Sequence, residues 1–142
     1  LTKKHVLGSP LDEATTLGPM IKPEAADFVR KQIKSALRGG AVAHVDAKSF
    51  AMDKAGTAYM APQVLTGVNH QMSVMTEESF GPVVGIMKVS DDAEAISLMN
   101  DSDYGLTAAL WTQDADAARM IGVDLAADLE QRRPAFLPAF AL

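Results

Sequence analysis

Hydrophobic residues recur every three to four positions in two stretches of the chain, which is the spacing of one helix face. The first stretch runs from Glu24 to Leu37, follows Pro23 and ends at a pair of glycines. The second runs from about Asp114 to Glu130 and is followed by Pro134. Proline is tolerated in a first helical turn but not in a helix interior. The pattern therefore predicts two amphipathic helices.

Shorter apolar runs without helical spacing predict strands. They cover Ala41–Val45, Tyr59–Leu65, Val83–Val89 and Thr107–Thr112. The third run shows almost no alternation of apolar and polar residues, which is typical of a strand that is buried on both faces. In the second run, Pro62 favours an edge position or a bulge, because proline cannot donate to the strand ladder.

A further helix is predicted between the last two of these strands. Asp91, followed three residues later by Glu94, resembles a capping box, and the helix extends to about Asn100. A strand, a helix and a strand within about thirty residues form a βαβ unit with parallel strands and a right-handed crossover. We therefore expect an α/β fold in which helices flank a mainly parallel sheet.

The charge balance narrows the possible partners. The chain has 13 lysines and arginines against 18 aspartates and glutamates, so its formal net charge is −5. Nucleic-acid binding needs clustered basic side chains, which this balance disfavours. No apolar stretch approaches the roughly 18 residues of a membrane span, and the first residues show no secretion signal. We expect no nucleic-acid partner, no membrane partner and a cytoplasmic location.

Several common kinds of site have no counterpart in the sequence. The chain contains no cysteine, so it offers neither a thiolate nucleophile nor thiolate metal ligands. The glycine-rich phosphate loops of nucleotide-binding proteins are missing. The three histidines, His5, His44 and His70, lie in separate segments, and we expect no metal site.

One segment, Met75–Val83, combines two adjacent glutamates with an aromatic residue and a Gly-Pro pair, in front of a predicted strand. Adjacent side chains of an extended segment point to opposite sides, so one of Glu77 and Glu78 can face a cleft. A carboxylate accepts hydrogen bonds from a sugar diol, and Phe80 offers a flat apolar wall beside it. From these residues alone, a solvated acidic turn is the favoured interpretation.

This segment resembles the Glu-Glu-x-Phe-Gly-Pro-Val sequence of the aldehyde dehydrogenase superfamily. Three further motifs similar to that family occur in the same order: LGP at Leu17–Pro19, YMAPQVL at Tyr59–Leu65 and NDSDYGLTA at Asn100–Ala108. The resemblance extends from about Leu7 to Glu130. It implies that residues 1–130 are part of an aldehyde dehydrogenase catalytic domain.

The resemblance implies oxidation of an aldehyde to a carboxylic acid with NAD or NADP as cofactor. In that family a cysteine thiolate attacks the carbonyl, hydride passes to the nicotinamide, and a glutamate-activated water releases the acid. The family uses the second glutamate of the motif to bind the nicotinamide-side ribose and the phenylalanine to brace the nicotinamide. These positions are Glu78 and Phe80. The implied partners are a small-molecule aldehyde and further copies of the chain, in a homodimer or homotetramer.

The chain also departs from the family pattern. The nucleophilic cysteine and the general-base glutamate of the family lie N-terminal to the matching region, so we assign no catalytic residue. We expect the chain alone to be inactive and to bind NAD or NADP weakly or not at all. Residues 131–142 read QRRPAFLPAFAL instead of the family's Gly-Thr-x-x-x-Asn strand. Our hypothesis is a divergent tail that arose by a frameshift or an abrupt truncation.

Two alternatives remain open at this point. The chain could be a non-catalytic binding or assembly module that reuses the fold, or the product of a decayed gene. Neither the aldehyde nor the choice between NAD and NADP can be read from these residues.

Overall fold

The computed structural model describes residues 1–102, 104 and 108–132, the last eight of these without their side chains. The chain divides into two compact units, Leu1–Lys88 and Val89–Leu142. The elements of the first unit are α1 (Pro23–Arg38), β1 (Val42–Ala43), β2 (Gln63–Thr66), α2 (Ser73–Thr76) and β3 (Val83–Ile86), with 3-10 turns at Thr2–Lys4 and Ala47–Ser49. The described helices of the second unit are α3 (Asp92–Asn100) and α4 (Ala115–Arg132).

Helix α1 confirms the first amphipathic pattern and extends it by one residue at each end. It begins with Pro23 at a position where a missing N–H costs no hydrogen bond. Its N-cap residue, Lys22, makes no side-chain capping bond. The helix therefore depends on the face that it buries, where apolar Ala26, Val29 and Ala36 lie together with the polar Gln32.

The three strands form one sheet in the order β1-β2-β3. β1 pairs with β2 antiparallel, and β2 pairs with β3 parallel. The sheet and its helices confirm the predicted α/β class. The edge position predicted for the second strand is wrong, because β2 is the central strand. It begins at Gln63, directly after Pro62, so the proline interrupts no ladder bond.

The two faces of this sheet differ in burial. On one face Leu65 is fully buried, at 0% exposure, in a cluster to which α1 and α2 also contribute residues. On the other face, Val84 and Ile86 are each about half exposed. The prediction of a strand buried on both faces is therefore wrong for β3. Its apolar residues alternate between a face that the helices cover and a face that no described element of the first unit buries.

Gly85 allows a close contact on the covered face. It lies directly opposite Leu65 in the parallel register. A Cβ atom at this position would collide with the sulfur of Met75. The thioether of Met75 thus fills the space that a side chain on β3 would otherwise occupy, a typical reason for glycine within a strand.

A largely buried arginine fastens the loop before β2 to helix α1. Arg30 forms ion pairs with Asp27 at 2.9 Å and with Asp53 at 2.8 Å. It also donates to the backbone carbonyls of Lys54, Thr57 and Tyr59. Burial alone would lower the pKa of Arg30, but the hydrogen bonds and charges of Asp53 and Asp27 outweigh burial and raise that pKa above its ordinary value.

In the second unit, α3 begins with the predicted capping interactions. The Asp91 carboxylate accepts a hydrogen bond from the Glu94 N–H at 2.8 Å. The Glu94 carboxylate in turn accepts from the N–H and the hydroxyl of Ser90, both at 2.7 Å. These two bonds lower the pKa of Glu94. The start of α4 is similar, since the Asp114 carboxylate accepts from two N–H groups of its first turn.

Helix α4 confirms that the second stretch is helical but not that it is amphipathic, since apolar Met120 and Val123 are exposed. The fourth predicted strand is not formed in the described residues. Residues 108–112 have no strand structure, and Thr107 lies outside the described residues. A strand exists only where a neighbour satisfies its backbone groups, and residues 108–112 pair with no described strand. The βαβ unit is therefore absent from the described part of the chain. Of the predicted tail, residues 131 and 132 belong to α4, and residues 133–142 lie outside the described part.

Candidate functional site

The segment Glu77–Gly81, which we call the acidic-aromatic segment, connects α2 to β3. At its start, Glu77 has an extended backbone, and its N–H donates to the Ser73 carbonyl at 2.8 Å. Directly after the segment, the Pro82 carbonyl accepts from the Gln63 N–H at 2.8 Å as the parallel ladder begins. The segment is therefore held by a helix at one end and by the sheet at the other.

The two glutamates of this segment differ in their partners. Glu77 accepts a hydrogen bond from the Gln32 side chain of α1, with 3.4 Å between Oε2 and Nε2. Glu78 is exposed, and within the described part of the chain its carboxylate forms no hydrogen bond or ion pair. One carboxylate is thus bound to the protein, and the other is available to a ligand.

Phe80 combines an unusual backbone with an unusual exposure. Its φ is +41°, and among the described non-glycine residues it alone has a positive φ. The side chain is 85% exposed. A bulky residue in the left-handed region costs on the order of 1–2 kcal/mol, and such strain is found preferentially at functional sites. Strain at an exposed aromatic residue, beside a carboxylate without a partner, makes this segment the best candidate for a ligand contact.

Gly81 brings the end of the segment close to α1. A Cβ atom on Gly81 would lie 2.9 Å from Cγ2 of Val29 and 3.0 Å from Cε of Met20. These distances are too short for any side chain, so only glycine fits without movement of its neighbours. The acidic-aromatic segment therefore rests directly on the helix.

A separate cavity of about 290 Å³ lies beside the start of β3. Its walls come from the first residues of the chain and from Leu17, Pro62–Val64 and Gly81–Val84. Glu78 and Phe80 do not line it. The structure thus places the two predicted site residues together on an exposed segment and not inside this cavity.

The histidines considered as possible metal ligands lie in separate parts of the described chain. His5 contacts Thr16, and His44 contacts Thr66 across the first two strands. Among the described residues, no group of three or more histidines, aspartates or glutamates could hold a metal ion. None of the described helices is long and apolar enough to cross a membrane.

Gln32 was not predicted from the sequence, and the structure connects it to the candidate site. Gln32 is 3% exposed and lies on the buried face of α1. Its signal was present, because a polar residue stood three positions after Val29 on an otherwise apolar helix face. A buried polar group needs partners, and such a residue therefore indicates a specific contact.

Comparison with known proteins decides the family. The sequence model of the Aldehyde dehydrogenase family matches residues 1–127. This chain belongs to the aldehyde dehydrogenase family. It is 42% identical over 117 residues to 3-sulfolactaldehyde dehydrogenase of Priestia megaterium, with 82% of this chain and 23% of the relative covered. It is 35% identical to lactaldehyde dehydrogenase of Methanococcus maripaludis, with 87% and 25% covered.

Solved aldehyde dehydrogenases have the same local fold. The NADP complex of NADP-dependent glyceraldehyde-3-phosphate dehydrogenase from Bacillus halodurans superimposes with a TM-score of 0.78 at 37% identity, covering 87% of this chain and 25% of that one. An NAD-dependent benzaldehyde dehydrogenase from Corynebacterium glutamicum gives a TM-score of 0.76 at 31% identity, with 87% and 26% covered. The chain spans about a quarter of the length of these aldehyde dehydrogenases.

Proposed function

We propose that this chain is part of an NAD(P)-dependent aldehyde dehydrogenase that oxidises an aldehyde to a carboxylic acid. Within it, Glu78 binds the nicotinamide-side ribose and Phe80 braces the nicotinamide. The observation that carries the proposal is the exposed, unpaired carboxylate of Glu78, two residues before an exposed aromatic ring on a strained backbone. The likeness to solved enzymes named as NAD-dependent and NADP-dependent supports it.

The chemistry of these residues fits the cofactor. A ribose diol offers two hydroxyl donors, and an ionised carboxylate accepts both without donating in return. The Phe80 ring presents a flat apolar surface of the kind that stacks on a planar heterocycle. When bound, the nicotinamide would accept the hydride of the aldehyde. The part of this chain is to bind and orient the cofactor, because the chain contains no cysteine nucleophile.

We infer that the chain alone is inactive as a dehydrogenase. Covalent aldehyde oxidation in this family needs a thiolate, which no residue here supplies. One ribose contact and one aromatic wall are too few to anchor a dinucleotide, so binding of NAD or NADP by the chain alone should be very weak. A cytoplasmic location and an assembly of two or four chains stay predictions.

A segment exchange tests the cofactor contact. Residues 1–127 of this chain would replace the matching quarter of the Priestia megaterium relative, and the chimaera would be assayed with NAD and with NADP. Glu78→Gln removes the charge and keeps the shape. Because a hydrogen bond to a charged group contributes about 1.5–3 kcal/mol, we expect the cofactor KM to rise about ten- to a hundredfold.

The matched control is Glu13→Gln, the same chemical change in an exposed loop outside the candidate site. Glu13→Gln should leave the cofactor KM unchanged. If Glu78→Gln also leaves cofactor KM and kcat unchanged, Glu78 does not bind the ribose, and the proposal for this segment fails.

A further inference from the structure

Helix α1 contacts the acidic-aromatic segment at both of its ends. Val29 lies against Gly81, where even a Cβ atom would come within 2.9 Å. One turn further along the same face, Gln32 Nε2 donates to Glu77 Oε2 at 3.4 Å and to the Ser73 carbonyl at 3.5 Å. The exposed pair of Glu78 and Phe80 lies between these two contacts.

The orientation of the Gln32 amide follows from its partners. A carbonyl and a carboxylate can only accept hydrogen bonds, so the NH₂ group of Gln32 must face them. Its Oε1 atom is then buried, and among the described residues it has no hydrogen-bond partner. An unsatisfied buried acceptor is unfavourable, and an apolar side chain of similar size would avoid that cost. Packing alone therefore does not explain a glutamine at this position.

We propose that Gln32 is a positioning residue for cofactor binding, which it supports by holding Glu77 so that Glu78 is presented to the ribose. This inference rests on the proposed role of Glu78. Gln32 itself is buried, at 3% exposure, so it acts through Glu77 and not by direct contact. It acts by fixing the start of the segment on α1, as the contact of Gly81 fixes its end.

The expected effect follows from pre-organisation. Without Gln32, the Glu77 side chain loses its tether to α1, and the backbone of the next three residues samples more conformations. Ordering a mobile side chain costs about 0.5–1.5 kcal/mol on binding, which corresponds to about a two- to twelvefold loss of affinity. The effect should thus be smaller than that of Glu78→Gln.

The first test uses the chain itself. Gln32→Leu removes the donor, keeps the volume and removes the unsatisfied oxygen. We expect amide hydrogen exchange at Glu77, whose N–H donates to the Ser73 carbonyl, to accelerate about three- to tenfold, while the free energy of unfolding is unchanged or higher. The matched control is Gln113→Leu, an exposed glutamine of the second unit, which should change neither quantity. Unchanged exchange at Glu77, or equal acceleration throughout α1, would overturn the inference.

A double-mutant cycle tests whether Gln32 acts through Glu77. Glu77→Ala removes the acceptor and should accelerate exchange of the residue 77 amide, relative to its intrinsic rate, as Gln32→Leu does. Because both changes break the same contact, the double variant should exchange no faster than the faster single variant. Additive accelerations would show two independent contributions and contradict the tether.

The second readout is kinetic and uses the chimaera. Gln32→Leu should raise the cofactor KM about three- to tenfold, leave the KM for the aldehyde unchanged and change kcat less than twofold. If Glu78→Gln raises the cofactor KM and Gln32→Leu does not, the positioning role is wrong and the proposed ribose contact stands. If Glu78→Gln has no effect, the proposed function fails first, and the exchange experiment alone shows whether Gln32 holds the segment.

Discussion

The helices of the two units differ in how strongly they are amphipathic and in how much they bury, since α1 has a pronounced apolar face whereas α3 and α4 do not. In the first unit α1 packs on a paired sheet, and every fully buried residue of the described chain lies in this unit. In the second unit α3 and α4 contact each other, yet none of its described side chains is fully buried. A pronounced apolar face and a paired sheet thus occur together with full burial in the first unit, and the described part of the second unit has neither.

The helices of the two units also differ in how they begin: the helices of the less buried second unit are the ones with side-chain caps. Helix α1 has no side-chain cap, whereas α3 and α4 both begin with aspartate carboxylates that accept backbone hydrogen bonds. Burial of a helix face contributes more than a cap, which is worth about 1 kcal/mol. The first unit should therefore respond to changes in packing, and the second to changes in local hydrogen bonds.

The largest difference in unfolding free energy between the two units should come from replacing one leucine in each. Leu65→Ala creates a cavity at a fully buried position and should cost about 2–5 kcal/mol of unfolding free energy. Leu110→Ala, at a site that is 42% exposed, should cost less than about 1 kcal/mol. Urea denaturation followed by far-UV circular dichroism measures both. Equal losses would mean that the second unit has a core as firm as the first.

Replacing one arginine in each unit should give a smaller difference in unfolding free energy. Arg30→Met leaves the largely buried Asp53 carboxylate without its ion pair and should cost about 2–3 kcal/mol. Arg119→Met breaks the exposed pair with Asp116 and should cost less than about 0.5 kcal/mol. Because the pKa of Arg30 is raised from an already high value, its contribution should be constant across the neutral pH range. Comparable losses in urea unfolding would show that Arg30 contributes no more than a surface charge.

The smallest effect concerns the start of α3. The pKa of Glu94 is lowered by hydrogen bonds from Ser90, so its stabilising effect is present above the ordinary glutamate pKa. That effect is lost as the pH falls through the lower, folded-state pKa. Thermal melts should show Glu94→Gln slightly less stable than the parent chain at neutral pH, with the difference vanishing in acid. A difference that persists in acid would show that the carboxylate charge is not its cause; Glu13→Gln serves as the control.

Local signals in the sequence predicted helices α1, α3 and α4 but not the short helix α2. Pro23 and the Gly39-Gly40 pair indicated the two ends of α1 to within one residue. The spacing of Asp91 and Glu94 indicated the start of α3. The strands were harder to predict, because an apolar run does not say how many faces its neighbours cover. For the same reason β3 proved to be covered on one face only, and residues 108–112 formed no strand.

The candidate site was predictable only in part. Glu78 and Phe80 were predicted only through the family motif. Without that motif, two glutamates before an aromatic residue cannot be distinguished from a solvated acidic turn. The positive φ of Phe80 and the close contact of Gly81 with α1 belong to the folded chain, and no local sequence pattern encodes them. Gln32 was missed although it is a polar residue on an apolar face, because its partner lies in a segment 45 residues away.

The fit between Gly85 and Met75 has a genetic consequence. Alanine at position 85 would meet the Met75 sulfur, and a shorter residue at position 75 alone would leave a void beside the glycine. Each single substitution is unfavourable, whereas Gly85→Ala combined with Met75→Val exchanges one volume for the other. The two positions should therefore behave as an epistatic pair. A mutational scan that changes one residue at a time would score both as intolerant, and a library that varies them together would recover the compatible combinations.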